Sequence, residues 1–230
     1  MNLQNFIYDQ EQHILYGFGG SGFDDRAGCA AIIELIQRGH RPHILFTDLE
    51  EVGGVGAQEL ITKYTKWPFH TSCNALIELD RANEKDAVYY SCSNPEFETY
   101  IESFGFVYDI GSFSDISIIM PAWKIAGVNL SIGYEMEHTQ SEILHTDWFD
   151  ETIERVSELL LNCKDMQKYK YIKAPTPIYH CIPKYSTTQC LICGAQLNAD
   201  NRQDIYEDEY SYSVCKPCFK EYYECPEIPF

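Results

Sequence analysis

The 230-residue chain is long enough for one α/β domain with a sizeable core and a small appendage. Hydrophobic residues make up 45%, which argues against general disorder, and a net charge of -18 without a Lys/Arg cluster excludes nucleic acid and anionic membrane as natural partners. Met1 to Tyr16 lacks the basic start and apolar run of a secretory leader, and no apolar stretch reaches the roughly 20 residues of a membrane span, so a cytoplasmic protein is expected.

A helical pattern begins after Asp25, with Ala30, Ala31, Ile33, Leu35 and Ile36 as its apolar residues and Gly39 as its stop. His43 to Thr47 reads as a buried strand, Gly53, Gly54 and Gly56 as a turn, and Ala57 to Tyr64 as a second helix. Ala75 to Leu79 and Ala87 to Ser91 read as strands. Pro95 to Phe104 reads as a helix with proline in its first turn. Ile116 to Met120 and Ile125 to Ile132 are strand-like, and Trp148 to Cys163 is a long amphipathic helix. Strands alternating with helices predict an α/β fold, with a mixed, mostly parallel sheet flanked by helices. Pro175, Pro177 and Pro183 mark a linker, so three parts are expected: residues 1–170, a linker over 171–184, and a small module over 185–230.

Several carboxylates fall where predicted strands end. Asp24 and Asp25 follow a glycine-rich stretch, Glu50 and Glu51 follow Thr47, Asp80 follows Leu79, and His138 lies beyond Ile132. In an open α/β sheet the carboxyl ends of strands converge on one crevice, and carboxylates with an imidazole make a ligand set for zinc or a similar ion. In a Glu-Glu pair, one residue can bind metal while its neighbour takes a proton from the bound water.

Read together, "GFDDRAGCAAIIEL" (Gly22 to Leu35), "TDLEEVGGVGAQEL" (Thr47 to Leu60), "IELDRANEKDAVYY" (Ile77 to Tyr90), "GSFSDISII" (Gly111 to Ile119) and "NLSIGYEMEHTQSE" (Asn129 to Glu142) resemble the two-zinc exopeptidase superfamily, particularly its aminopeptidase-like branch. The resemblance covers about Asn5 to Leu161. It implies that Asp24 bridges two zinc ions, that Glu51 and Asp80 each bind one of them, and that His138 is the last ligand, with His145 a competing candidate. It implies further that Glu50 is the general base, that Asp25 and Arg26 support their loop, and that Asp115 lies near the substrate cleft. The family carries a His-x-Asp motif on an early strand. Here only 23 residues precede Asp24 and none reads His-x-Asp, so that segment is expected to be missing, or to be supplied elsewhere.

Cys190-x-x-Cys193 and Cys215-x-x-Cys218 have the paired spacing of a tetrahedral Cys₄ zinc ribbon, which is structural because thiolates fill every position. The acidic loop between the pairs turns the expectation from nucleic acid to protein docking. Cys29, Cys73, Cys92, Cys163, Cys181 and Cys225 read as small buried residues or as thiols outside any metal site. Two functions follow. One is a metal-dependent exopeptidase, an aminopeptidase acting on peptide substrates, with one or two Zn²⁺ in the cleft and one in the ribbon. The alternative is a catalytically inactive peptidase-like protein that uses cleft and ribbon for protein interaction.

Overall fold

The computed structural model describes residues 6–17, 21–64, 73–164, 167–174, 190, 195–198, 200–207, 210–217 and 220. Two compact units divide between Pro175 and Thr176.

The first unit opens on a hairpin of β1 (Phe6–Asp9) and β2 (Ile14–Gly17). Helix α1 (Phe23–Gln37) follows, then a single 3₁₀ turn over Glu50–Val52 and helix α2 (Val55–Lys63). Next come β3 (Leu76–Arg81), β4 (Asp86–Val88), α3 (Pro95–Glu102), β5 (Val107–Asp109), α4 (Asp115–Trp123) and β6 (Gly127–Ser131). The short strands β7 (Tyr134–Glu135) and β8 (Ile143–His145) lead into α5 (Thr146–Leu161).

Two four-stranded sheets result. One has the order β1-β2-β8-β7 and is antiparallel throughout. The other has the order β3-β6-β4-β5, with β3 parallel to β6, β4 antiparallel to β6, and β4 parallel to β5. β6 is buried at all five positions, which is why Gly127-Val-Asn-Leu-Ser131 lacks polar alternation: helices cover both faces of a central strand. The core gathers Ala31 and Leu35 of α1, Val128 and Leu130 of β6, Phe97 and Ile101 of α3, and Ile153, Val156 and Leu159 of α5.

Two expected strands take other forms. Ile116 to Met120 lies inside α4, not in a strand. Ile116, Ile119 and Met120 are buried, the spacing of three and four that a helix buries, and the backbone N–H of Ile116 donates to Glu78 Oε1 at 3.1 Å. His43 to Thr47 has no regular structure. Its apolar side chains stay accessible, 57% in the case of Phe46, because no strand among the described residues pairs with it.

In the second unit, β9 (Arg202–Glu207) and β10 (Tyr210–Cys215) form an antiparallel hairpin that pairs Cys215 with Arg202. Cys190 and Cys215 are both buried, and Cys190 N–H donates to Ala195 O at 2.7 Å. Cys193 and Cys218 lie outside the described residues, as do the linker prolines.

Candidate metal centre

Asp24 and Asp25 occupy the first turn of α1 but have non-helical backbone angles, so the chain bends where the carboxylates emerge. The bend is held from two sides. Asp24 N–H donates to Glu142 Oε1 at 2.8 Å, and Asp25 Oδ1 accepts from Gly28 N–H at 3.0 Å. A side chain at Gly28 would collide with the Leu79 carbonyl at 1.8 Å, so glycine is what lets α1 lie directly on β3. Arg26 closes the turn by donating to the carbonyls of Gly22, at 2.7 Å, and of Ser21.

Glu50 and Glu51 sit in the 3₁₀ turn, where the Glu50 carbonyl accepts from the N–H groups of both Gly53 and Gly54. Gly54 has φ +65° and lies against Ile118 and Asp115, so this turn presses on the start of α4. His138 has a left-handed backbone at φ 60°. Its Nε2 stands 2.8 Å from Glu51 Oε1 and 3.0 Å from Asp24 Oδ2. The potential ligand atoms of Asp24, Glu51 and His138 all lie within 4.8 Å of one another. Asp80, near the end of β3, shares a side-chain hydrogen bond with Asp24 and accepts from Tyr134 OH at 3.3 Å. Glu50 and Asp115 line the cavity beside the cluster together with Asp80.

His145 goes elsewhere. Its Nε2 lies 2.8 Å from Glu135 Oε2 and its ring stacks on Trp148 with centroids 3.9 Å apart, which ties β8 to α5.

Seven carboxylates thus crowd one region: Asp24, Asp25, Glu50, Glu51, Glu78, Asp80 and Asp115. Burial is the main reason that the proton affinities of Asp24, Asp25, Glu50, Glu78, Asp80 and Asp115 rise. It pushes Asp25 and Glu78 each to about 8 and Glu50 to about 6, with neighbouring carboxylates adding to the effect. Asp24 and Asp80 are raised as well, again chiefly by burial. His138 is shifted upward, first by its hydrogen bond to Glu51 and then by the negative charges of Glu51 and Asp24. The nearby guanidinium of Arg81 is committed to Asp109, at 2.6 Å, and not to this cluster. A donor set of carboxylates and one imidazole fits a divalent cation. Asp24, Glu51 and His138 would hold such an ion as three ligands around an open position, and Asp24 with Asp80 would make a looser second site.

Four residues of the site escaped the sequence reading: Glu78, Asn129, Tyr134 and Glu142. Glu142 is buried and receives the Asp24 N–H. Glu78 faces the cavity and is fixed by Ser114 Oγ, which donates at 2.6 Å, and by the N-terminus of α4. A glutamate between Ile77 and Leu79 inside a strand was the available signal, because a carboxylate on a covered face needs partners.

Among solved structures, the fold is similar to that of a TET aminopeptidase from a marine-sediment Thaumarchaeota archaeon, at 21% identity and TM-score 0.51, with 68% of this chain and 51% of that chain aligned. Aminopeptidase PepT from Bacillus cereus aligns over 68% of this chain and 75% of its own, at 15% identity and TM-score 0.51. A chain in the cryo-EM structure of the Ape4 and Nbr1 complex aligns over 97% of this chain and 52% of its own, at 11% identity and TM-score 0.53. The chain therefore spans about half the length of the first and third of these structures. No protein-family model and no curated protein matches the sequence. What the likeness establishes is the fold: a mixed α/β fold shared with aminopeptidases. No helix among the described residues is long and apolar enough to cross a membrane.

Proposed function

We propose that this chain is a metal-dependent exopeptidase of the aminopeptidase type, acting on peptides in the cytoplasm. The observation that carries the reading is the convergence of Asp24, Glu51 and His138 within 4.8 Å, with Asp80 against Asp24 and Glu50 next in sequence to Glu51. Bound there, zinc would supply an acidified water and a Lewis acid for the peptide carbonyl. The chain's own part is to hold and move protons. Glu50, set beside the ligands by the 3₁₀ turn, is the carboxylate free to take the proton of the attacking water and return it to the leaving amine. Asp80 and Asp24 hold the second, looser position, and Asp115 borders the cleft. The second unit is proposed to bind one structural zinc through Cys190, Cys193, Cys215 and Cys218.

One observation favours the other reading, a peptidase-like binding protein. Among the described residues the cluster contains a single histidine, and Asp80 has no imidazole beside it. Two measurements separate the readings: metal content after dialysis, and hydrolysis of a panel of aminoacyl p-nitroanilides with and without added Zn²⁺. Hydrolysis that Glu50→Gln lowers by about 10²–10⁴ with metal content retained supports the enzyme. Metal uptake without turnover of any substrate supports the binding protein.

A further inference from the structure

β3 is an edge strand: β6 pairs one side of it, and no strand among the described residues pairs the other. Beyond that free edge lies a cavity of about 520 Å³. Its far wall is the irregular segment from Arg41 to Thr47, whose Ile44, Leu45 and Phe46 remain accessible. Leu35 of α1 with Val156 and Leu159 of α5 line one face, and Ile116, Ile119 and Trp123 of α4 line the other. Helices α1 and α5 pack on each other, as do α2 and α4, so the cavity lies between the two helical layers, in the layer that the sheet occupies.

This shape is that of an absent strand. An edge strand presents a row of backbone donors and acceptors that templates another extended chain. β3 is six residues long, an edge of about 20 Å at roughly 3.3 Å per residue. Because both faces of the cavity are apolar, a strand placed there needs a near-continuous apolar run and not an alternating one. The two ends differ in charge. His40, Arg41 and His43 border one end, whereas Asp25, Glu50, Glu78, Asp80 and Asp115 border the other. The charge at that end favours an occupant with a basic side chain where it emerges beside Asp80.

We propose that this cavity receives an extended segment of another polypeptide, apolar through its middle and basic at the end beside Asp80, which pairs with the free edge of β3 and completes the sheet. Binding also gives Ile44, Leu45 and Phe46 a strand to pack against. The proposal does not depend on catalysis and survives if the chain turns over no peptide.

The test uses the full chain and a fluorescein-labelled peptide, Glu-Lys-Val-Val-Ile-Val-Ala-His-Lys-amide. Two control peptides are used, one with proline in place of the central Ile and one with Glu-Glu in place of the terminal His-Lys. Fluorescence anisotropy should show saturable binding of the first peptide and at least tenfold weaker binding of both controls. Backbone hydrogen exchange at Ile77 to Asp80 should slow in the complex. Phe46→Asp, on an accessible side chain, should weaken binding at least tenfold while leaving the circular dichroism spectrum unchanged. Binding that tolerates the proline control or leaves exchange at Ile77 to Asp80 unaltered overturns the proposal, as does no binding. Sedimentation covers the remaining occupant: a dimer that the peptide does not dissociate means that a second copy fills the cavity, and the proposal fails.

Discussion

Asn129 holds both backbone polar groups of Asp80. Its side-chain oxygen accepts from Asp80 N–H at 3.0 Å and its side-chain nitrogen donates to Asp80 O at 2.8 Å. The pair spans β6 and β3 at the point where their register shifts between Glu78 and Arg81. An irregular ladder leaves backbone groups to be satisfied by side chains, and a buried asparagine does it here while fixing the direction in which Asp80 leaves the strand. Asn129→Ala leaves those groups without partners, at a cost of about 1–3 kcal/mol. The expected outcome is a thermal midpoint lowered by about 2–10 °C, with zinc occupancy reduced at the position that Asp80 serves. Unchanged stability in calorimetry would mean that water replaces the asparagine at no cost.

Glu142 does for Asp24 what Asn129 does for Asp80. The carboxylate lies 2.8 Å from Asp24 N–H, and Ser21 Oγ donates to the Glu142 backbone carbonyl at 3.2 Å, so the β7–β8 connection is tied to the bend of α1. Groups that orient a ligand typically account for 10–100-fold in metal affinity. Glu142→Gln keeps the shape and weakens the charge-assisted bond; competition against a chromophoric chelator should show zinc affinity reduced by about tenfold. Glu142→Ala should lose more. Equal affinity in all three proteins would assign Glu142 to folding alone.

The crowded carboxylates make the metal-free chain sensitive to pH. Burial raises Asp25 from 3.8 and Glu78 from 4.5, each to about 8, so the folded chain binds these protons more tightly than the unfolded chain does. Their stabilising contribution is complete below about pH 4 and is lost as pH rises through about 8. With a chelator present, the thermal midpoint should therefore fall by about 5–10 °C between pH 5 and pH 8. Zinc should remove most of that fall, because a divalent charge favours the ionised carboxylates. A midpoint that does not move with pH in the chelator would contradict the burial of these groups.

The sequence reading succeeded where a local pattern and a tertiary need coincide. Helix α5 has one apolar stripe, Ile153, Val156 and Leu159, and α3 carries proline in its first turn, so both were legible within two residues. Ile116 to Met120 was misread because a short apolar run fits strand and helix equally; what decides is the capture of its first turn by Glu78, a contact made between distant parts of the chain. His43 to Thr47 failed for the opposite reason. Its composition suits a strand, but a strand exists only through its partner, and a cavity separates this segment from the free edge of β3. Asp24, Glu51 and His138 were named as candidates because five strings resemble one family together and in order; no single one of them would have sufficed. Their supports Glu142 and Asn129 were not, because an interior hydrogen bond across 118 or 49 positions leaves no local trace.

The second unit yields the last prediction. Cys190 and Cys215 are both buried, at 2% and 5% exposure. The Cys190 N–H donates to Ala195 O, and Cys215 ends β10 opposite Arg202. A hairpin that leads to a buried cysteine suits a zinc site built on paired cysteines, and a module this small has little core to hold it without a staple. The Cys190→Ser/Cys215→Ser double variant should lose about one equivalent of zinc relative to the parent, and amides of β9 and β10 should exchange at least tenfold faster. Zinc in the cleft should be unaffected, so a Glu51→Gln variant should lose a different equivalent, and the two losses should add when the changes are combined. An unchanged zinc content in the cysteine variant would remove the ribbon, and would leave the buried thiols as packing residues of the hairpin.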